Sequence, residues 1–265
     1  MAPSYCLGHS AILFFLAKGS KGEVSPGGHS LPCVNHGREY VDFGGGEKRR
    51  RKGGSGKMSE VHWGEQFQWR EKVHQRYPEL WDLKIVRKRL PFVLKCLKDG
   101  EWVLEIGAFD RSLESRLKQF RPQIHYKSLD IDPTYRHDYT SLEQVHEKFD
   151  LVLLFELIEH LDWESGREMV ARIFDILKPG GRVILTTPNI YTPGQYWKDV
   201  SHRTPYHYEE LGGLFLSQRF ESIELFRFFN DPFLRYAIKV YLFSPVFRFL
   251  RIDFTKSILL LARRP

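Results

Sequence analysis

At 265 residues, 42% of them apolar, the chain is long enough for one α/β domain with a full core plus appendages. Its net charge of +7 is uneven: residues 1–57 carry nine Lys and Arg against four Asp and Glu, so five of the seven charges lie there. The nearly neutral remainder argues against a nucleic-acid-binding body. Three cysteines show no metal-binding spacing, and Cys96 reads as a core residue in a reducing, cytoplasmic compartment.

Residues 1–57 hold 12 of the 21 glycines and no sustained period of 2 or 3.6. Ala11 to Ala17 (AILFFLA) is apolar but too short to span a bilayer, and no basic region precedes it as a signal peptide requires. Glu47 to Lys57 (EKRRRKGGSGK) could be a basic arm or a localisation signal. The plainer expectation is a disordered or non-native extension, an over-extended reading frame with purine-rich codons just before Met58. The folded domain is then 58–265.

From Met58 the texture changes. Residues 60–77 and 79–98 have helix-like spacing interrupted at Pro78 and Pro91, so 59–98 is expected as N-terminal helices packed on a sheet or lying over a ligand. Trp102 to Ser112 (WVLEIGAFDRS) reads as a short buried strand, a turn and a helix from Arg111 to Phe120. Ile124 to Leu129 is a second strand, ending at Asp130-Ile131-Asp132-Pro133. An acid there is the ribose-binding position of a nucleoside fold, and Asp130 suits it better than Asp132, which reads as a turn acid before proline. A third strand near Asp138-Tyr139 is barely visible.

Phe149 to His160 (FDLVLLFELIEH) contains a continuous apolar run of the kind found in fully buried parallel strands. Asp162 to Leu177 is expected as a helix stopped by Lys178-Pro179-Gly180-Gly181, with Arg182 to Thr187 as the next strand. Tyr191 to Tyr208 is a long loop carrying Trp197, Asp199, His202, Arg203 and His207. A helix over Glu209–Ser217 and strands over Phe220–Phe228 and Ser257–Ala262 follow. Between those strands, 229–255 mixes apolar residues at helical spacing with Arg235, Lys239, Arg248 and Arg251. It predicts two amphipathic helices broken at Ser244-Pro245. These form either a cap on the sheet or on a second subunit, making a homodimer, or a peripheral membrane contact.

VLEIGAFDRS resembles the first motif of the Rossmann-like S-adenosylmethionine (SAM) methyltransferases, hydrophobic-E/D-x-G-x-G-x-G. Glu105 and Gly107 match it, while Phe109 and Arg111 stand where the second and third glycines are usual. FDLVLLFELIEHL and LKPGGRVILTTPN are similar to phrases of the same family, in the same order. The resemblance implies an α/β, doubly wound, seven-stranded sheet with an antiparallel last strand. It implies SAM as cofactor, held by Glu105, Gly107, Ala108, Asp110, Asp130, Ile131, Asp138 and Phe155. The acceptor would be an O or N atom of a small, lipid-linked or carrier-linked molecule, and nucleic acid is not expected.

Methyl transfer asks the protein to align donor and acceptor, exclude water and manage one proton. His160 and His202 are the candidate bases. Glu156, Glu159, His160 and His202 also resemble the magnesium site of the small-RNA 3′-end 2′-O-methyltransferases, with the two Glu and His160 on one face if that segment is helical. Metal-free relatives carry the same E-x-x-E-H pattern, so no metal is expected. The other alternative is a scaffold that has lost catalysis through Phe109 and Arg111.

Overall fold

A computed structural model describes residues 63–265, so the expectations for residues 1–57 lie outside the described residues. Three adjacent strands at the centre organise the rest. β2 (Trp102–Ile106) and β4 (Phe149–Phe155) pair in parallel, and β4 pairs in parallel with β5 (Leu177–Pro188). Their side chains alternate between two cores. Leu104, Ile106, Val152, Leu154, Val183 and Leu185 face one layer of helices. Val103, Leu151, Leu153 and Ile184 face the other. Burial on both faces is why Leu151–Phe155 and Val183–Leu185 read as unbroken apolar runs.

The seven-stranded sheet has the order β1-β6-β7-β5-β4-β2-β3. β3 is His125–Leu129, β6 is Ser222–Phe228 and β7 is Ser257–Arg263. β7 runs antiparallel to both β5 and β6, and every other pair is parallel. The expected architecture is therefore present, but one strand comes from elsewhere. The stretch near Asp138-Tyr139 makes only an isolated bridge, Leu129 to Tyr139. The seventh strand is β1 (Lys84–Val86), inside a segment expected to be helical, and it pairs with β6 at the far edge. Three residues are too few to display a period of 2, so only the partner strand reveals them.

The helices on this frame are α1 (Trp63–Arg76), α2 (Arg89–Cys96), α3 (Ser112–Lys118), α4 (Trp163–Ile176) and α5 (Tyr208–Ser217). Asp162 caps α4 by accepting the Ser165 N–H at 2.9 Å. The Lys178-Pro179-Gly180-Gly181 stretch belongs to β5 rather than to a turn before it. Phe149 pairs with Leu177 and Leu151 with Arg182, so the extra residues of β5 bulge out there, with Gly180 at φ +73°.

After β6 the chain forms α6 (Phe233–Ala237), a π-turn over Ile238–Leu242, and α7 (Ser244–Phe249). The break at Ser244-Pro245 is where the sequence places it, with Pro245 in the first turn of α7. Among the described residues no helix is long and apolar enough to cross a membrane.

Candidate active site

The carboxyl ends of β2, β3, β4 and β5 form one edge of the sheet, and the residues singled out from sequence gather along it. At the end of β2, Gly107 has φ +75° and donates its N–H to the Leu129 carbonyl at 2.8 Å. The positive φ favours glycine here, and a Cβ would also lie 2.4 Å from Leu157 Cδ1, forcing that side chain to move. Ala108 beside it is buried. Phe109 and Arg111 keep the left-handed backbone that glycine would have, with φ of 43° and 56°. Such a conformation costs a non-glycine residue about 1–2 kcal/mol, and contacts on both sides hold it. The Phe109 N–H donates to Asp130 Oδ2 at 2.8 Å, and the Phe109 ring meets Tyr135 edge-on. The Arg111 guanidinium binds Glu114 Oε2, the Arg136 carbonyl and Asp138. The left-handed turns of a glycine-rich motif survive here without its second and third glycines.

The acids differ sharply in environment. Glu105 is 7% exposed and accepts a hydrogen bond from the Tyr126 hydroxyl. Burial pushes its carboxyl up to about 7, against the opposing pull of Tyr126 and Arg89. Asp130 accepts from Phe109 N–H through one oxygen and from Asp132 N–H, at 3.0 Å, through the other. Asp132 closes a turn onto Thr134, as a turn acid should. Asp110 accepts the Ser112 N–H at the start of α3. Asp138 is bound back to β3 through Ser128 N–H, Ser128 Oγ and Lys127. Partial burial would raise its carboxyl, but the Ser128 N–H, Lys127 and Arg111 together hold it below the usual range. Ile131 lies half-buried between Asp130 and Asp132.

Arg89, at the start of α2, escaped the sequence reading. Its guanidinium lies 4.2 Å from the centre of the Phe155 ring, and it acts electrostatically on both Glu105 and Glu156. Burial lowers its pKa, with those two carboxyls opposing the shift. No spacing could have found it, because α2 reaches the sheet edge only through the tertiary fold.

The histidine cluster is built differently from expectation. Glu156, Glu159 and His160 do not share a helix face: Glu156 has φ 49°, and only Ile158–His160 makes a single tight turn. Left-handed backbone at Glu156 ends the strand, and its carboxyl interacts with the side chains of Thr186 and Ser257. Glu159, His160 and His202 each place one ligand atom within 4.8 Å of the others, and Glu156 is not in that group. The rings of His160 and His202 meet at 4.7 Å and 66°. His202 Nδ1 lies 2.6 Å from the Tyr196 carbonyl, which can only accept, so Nδ1 carries the proton and Nε2 is the basic atom. That Nε2 is 4.0 Å from Glu159 Oε1.

Glu159 is fully buried. Its Oε2 accepts from the Thr187 hydroxyl at 3.1 Å, and its Oε1 has no hydrogen-bond partner. Burial, and after it the charge of Glu156, raises its carboxyl well above the ordinary range. The Glu159 carbonyl also accepts the N–H groups of Arg203 and Thr204, at 2.7 and 3.1 Å. That pair stitches the loop after β5 to the end of β4. His160 Nδ1 is 2.9 Å from Ser201 Oγ, which donates to Asp199 at 2.6 Å. His207, by contrast, caps α5 and bonds the Tyr191 hydroxyl.

Residues 73–238 match the profile of a family described as a methyltransferase domain. The chain belongs to that family. Its fold is similar to that of a SAM-dependent methyltransferase from Archaeoglobus fulgidus, at a TM-score of 0.55 and 17% identity, covering 77% of this chain and 100% of that one. A chain in the complex of the Haloferax volcanii Trm112 methyltransferase activator with a methyltransferase aligns at a TM-score of 0.50 and 14% identity, covering 74% and 93% respectively. No curated protein matches the sequence. This methyltransferase is an enzyme of the Rossmann-like class, and SAM is its methyl donor. The carboxyl edge carries the opposed groups that such a cofactor's amine and carboxylate would need, the Glu105 carboxyl and the Arg89 guanidinium.

Proposed function

We propose that this methyltransferase transfers its methyl group to an O or N atom of a small or carrier-linked molecule, with His202 as the proton acceptor. The single observation that carries the reading is the hydrogen bond from His202 Nδ1 to the Tyr196 carbonyl, which leaves Nε2 basic. SAM supplies a methyl carbon already activated by its sulfonium. The protein's own residues then bind, align and take up one proton. Arg89 would pair with the cofactor's carboxylate, Glu105 with its amine, and Asp130 with its ribose hydroxyls. Asp138 and Ile131 would flank the adenine, and Ala108, Asp110 and Phe155 would line the approach. His160, held by Ser201 and Asp199, positions the acceptor beside His202.

The test joins a mass-spectrometric screen of hydroxylated, amine-bearing and lipid-linked acceptors to calorimetry with SAM. With an acceptor in hand, His202→Ala should lower kcat about 100- to 10,000-fold and leave SAM affinity unchanged. A variant with wild-type kcat would remove His202 from the chemistry. Failure of the wild type to bind SAM would leave an inactive scaffold instead.

One observation favours a second reading. The unpartnered Oε1 of Glu159, facing two imidazoles, suits a divalent ion that accepts mixed nitrogen and oxygen ligands, such as manganese or zinc. Bound there, it would polarise an acceptor oxygen. In that case either ion raises the melting temperature of chelator-treated protein, and Glu159→Gln abolishes the rise. Activity and melting temperature indifferent to chelation would dismiss it.

A further inference from the structure

Nine of the sixteen exposed large apolar side chains among the described residues lie between Phe233 and Leu250. Six of them, Phe233, Leu234, Tyr241, Leu242, Phe249 and Leu250, are from 55% to 87% exposed. A surface patch of this kind on a soluble chain marks something that covers it. The charges around it are one-sided. The only acids from 229 to 256 are Asp231 and Asp253, both buried. Asp231 pairs with Lys239 at 2.9 Å and Asp253 with Arg227 at 3.3 Å. The cations Arg235, Arg248, Arg251 and Lys256 are exposed. Solvent-facing charge on this segment is therefore all positive, interleaved with aromatic and aliphatic side chains.

The segment is also rooted at the site. It leaves the sheet at Phe228 and returns at Ser257, two residues paired with each other, and Ser257 pairs with Pro188 at the end of β5. Asn189 Nδ2 donates to Asp253 Oδ2 at 2.9 Å, and the Asp253 N–H donates to the Tyr191 carbonyl at 2.9 Å. The loop that carries His202 is thus held to the same anchor.

We propose that α6, the π-turn and α7 form a docking surface for an anionic lipid bilayer. Their apolar side chains enter the headgroup region and their cations meet lipid phosphates. Attachment is peripheral, since no described helix is long enough to span. Docking at the carboxyl edge of the sheet presents the site to a membrane-held, lipid-linked acceptor, a conclusion that rests on the methyl-transfer reading above.

The test is co-sedimentation of the full chain with phosphatidylcholine vesicles, with and without phosphatidylglycerol, at low and high salt. The bound fraction should be at least about tenfold higher on the anionic vesicles and should fall as salt rises. The double variant Tyr241→Ser, Phe249→Ser should lose that binding while keeping wild-type SAM affinity, because both side chains are exposed and distant in role from the cofactor residues. Protein that stays in the supernatant with anionic vesicles at low salt overturns the proposal. Binding unchanged in the double variant also overturns it, since the basic run from Glu47 to Lys57 would then be the attachment. So does a dimer by light scattering that the double variant dissociates, because a second copy would then cover the patch. Vesicle binding and SAM affinity are read separately, so failure of docking is distinguishable from failure of the methyl-transfer reading.

Discussion

Replacing Glu105 by Gln tests the electrostatics of the cofactor edge, because the carboxyl stands at about 7 rather than its ordinary 4.5. Each pH unit of displacement corresponds to about 1.4 kcal/mol, so ionising Glu105 in the folded protein without cofactor costs about 3 kcal/mol. The sign follows from proton linkage. Between about pH 4.5 and pH 7 the folded state keeps a proton that the unfolded state has lost, so stability falls as pH rises through this window. The stabilising contribution is fully present below 4.5 and is gone above about 7. Gln has the same shape, can still accept from Tyr126, and does not titrate. Chemical denaturation of wild type and Glu105→Gln at about pH 5 and about pH 8 should therefore diverge, with the variant gaining roughly 2–3 kcal/mol relative to wild type at the higher pH. A cationic amine on the cofactor favours the ionised carboxylate. Calorimetry near pH 6 in buffers of different ionisation enthalpy should thus show proton release on SAM binding by wild type, and none at this site in the variant. A wild-type-to-variant difference that is constant across the range, with equal proton release, would refute the reasoning.

Two further substitutions probe the frame. Asp130→Ala should weaken SAM binding by about 1.5–3 kcal/mol, the worth of a charge-assisted hydrogen bond, whereas Asp132→Ala, which loses only its turn to Thr134, should change it by less than about threefold; calorimetry with equal effects would mean that the second strand has been misread. Asp253→Ala leaves Arg227 buried without its partner and strips Asn189 and Thr255 of an acceptor. It should destabilise the fold by about 3–5 kcal/mol in denaturant titration, and a loss below about 1 kcal/mol would show that the insertion is not anchored there.

Much of the frame is a local property of the chain. Leu151 to Phe155 and Val183 to Leu185 are apolar because both faces of a central parallel strand are covered, and that demand is written in consecutive residues. Pro245 breaks the insertion wherever the rest of the molecule lies, since proline lacks the N–H that a helix interior needs. Gly107 could be recognised beside Glu105 because strand, turn and helix follow one another directly. The resemblance to the methyltransferases rests on such contiguous stretches, and the family match agrees with it.

Other features exist only by pairing. Lys84–Val86 is a strand because β6 lies beside it, and Asp138-Tyr139 fails to be one because the contact stops at a single bridge. Arg89 becomes part of the site when α2 carries it to Phe155 and Glu105. The meeting of His160 with His202 depends on the Glu159 carbonyl gripping two N–H groups of a distant loop, and the proton on His202 Nδ1 is fixed by a carbonyl of that loop. The raised carboxyl of Glu105 is likewise a consequence of burial, which no spacing of residues encodes. Sequence carries the interactions that a residue makes with its near neighbours along the chain; desolvation, tautomer choice and convergence of side chains arise only when remote segments are brought into contact.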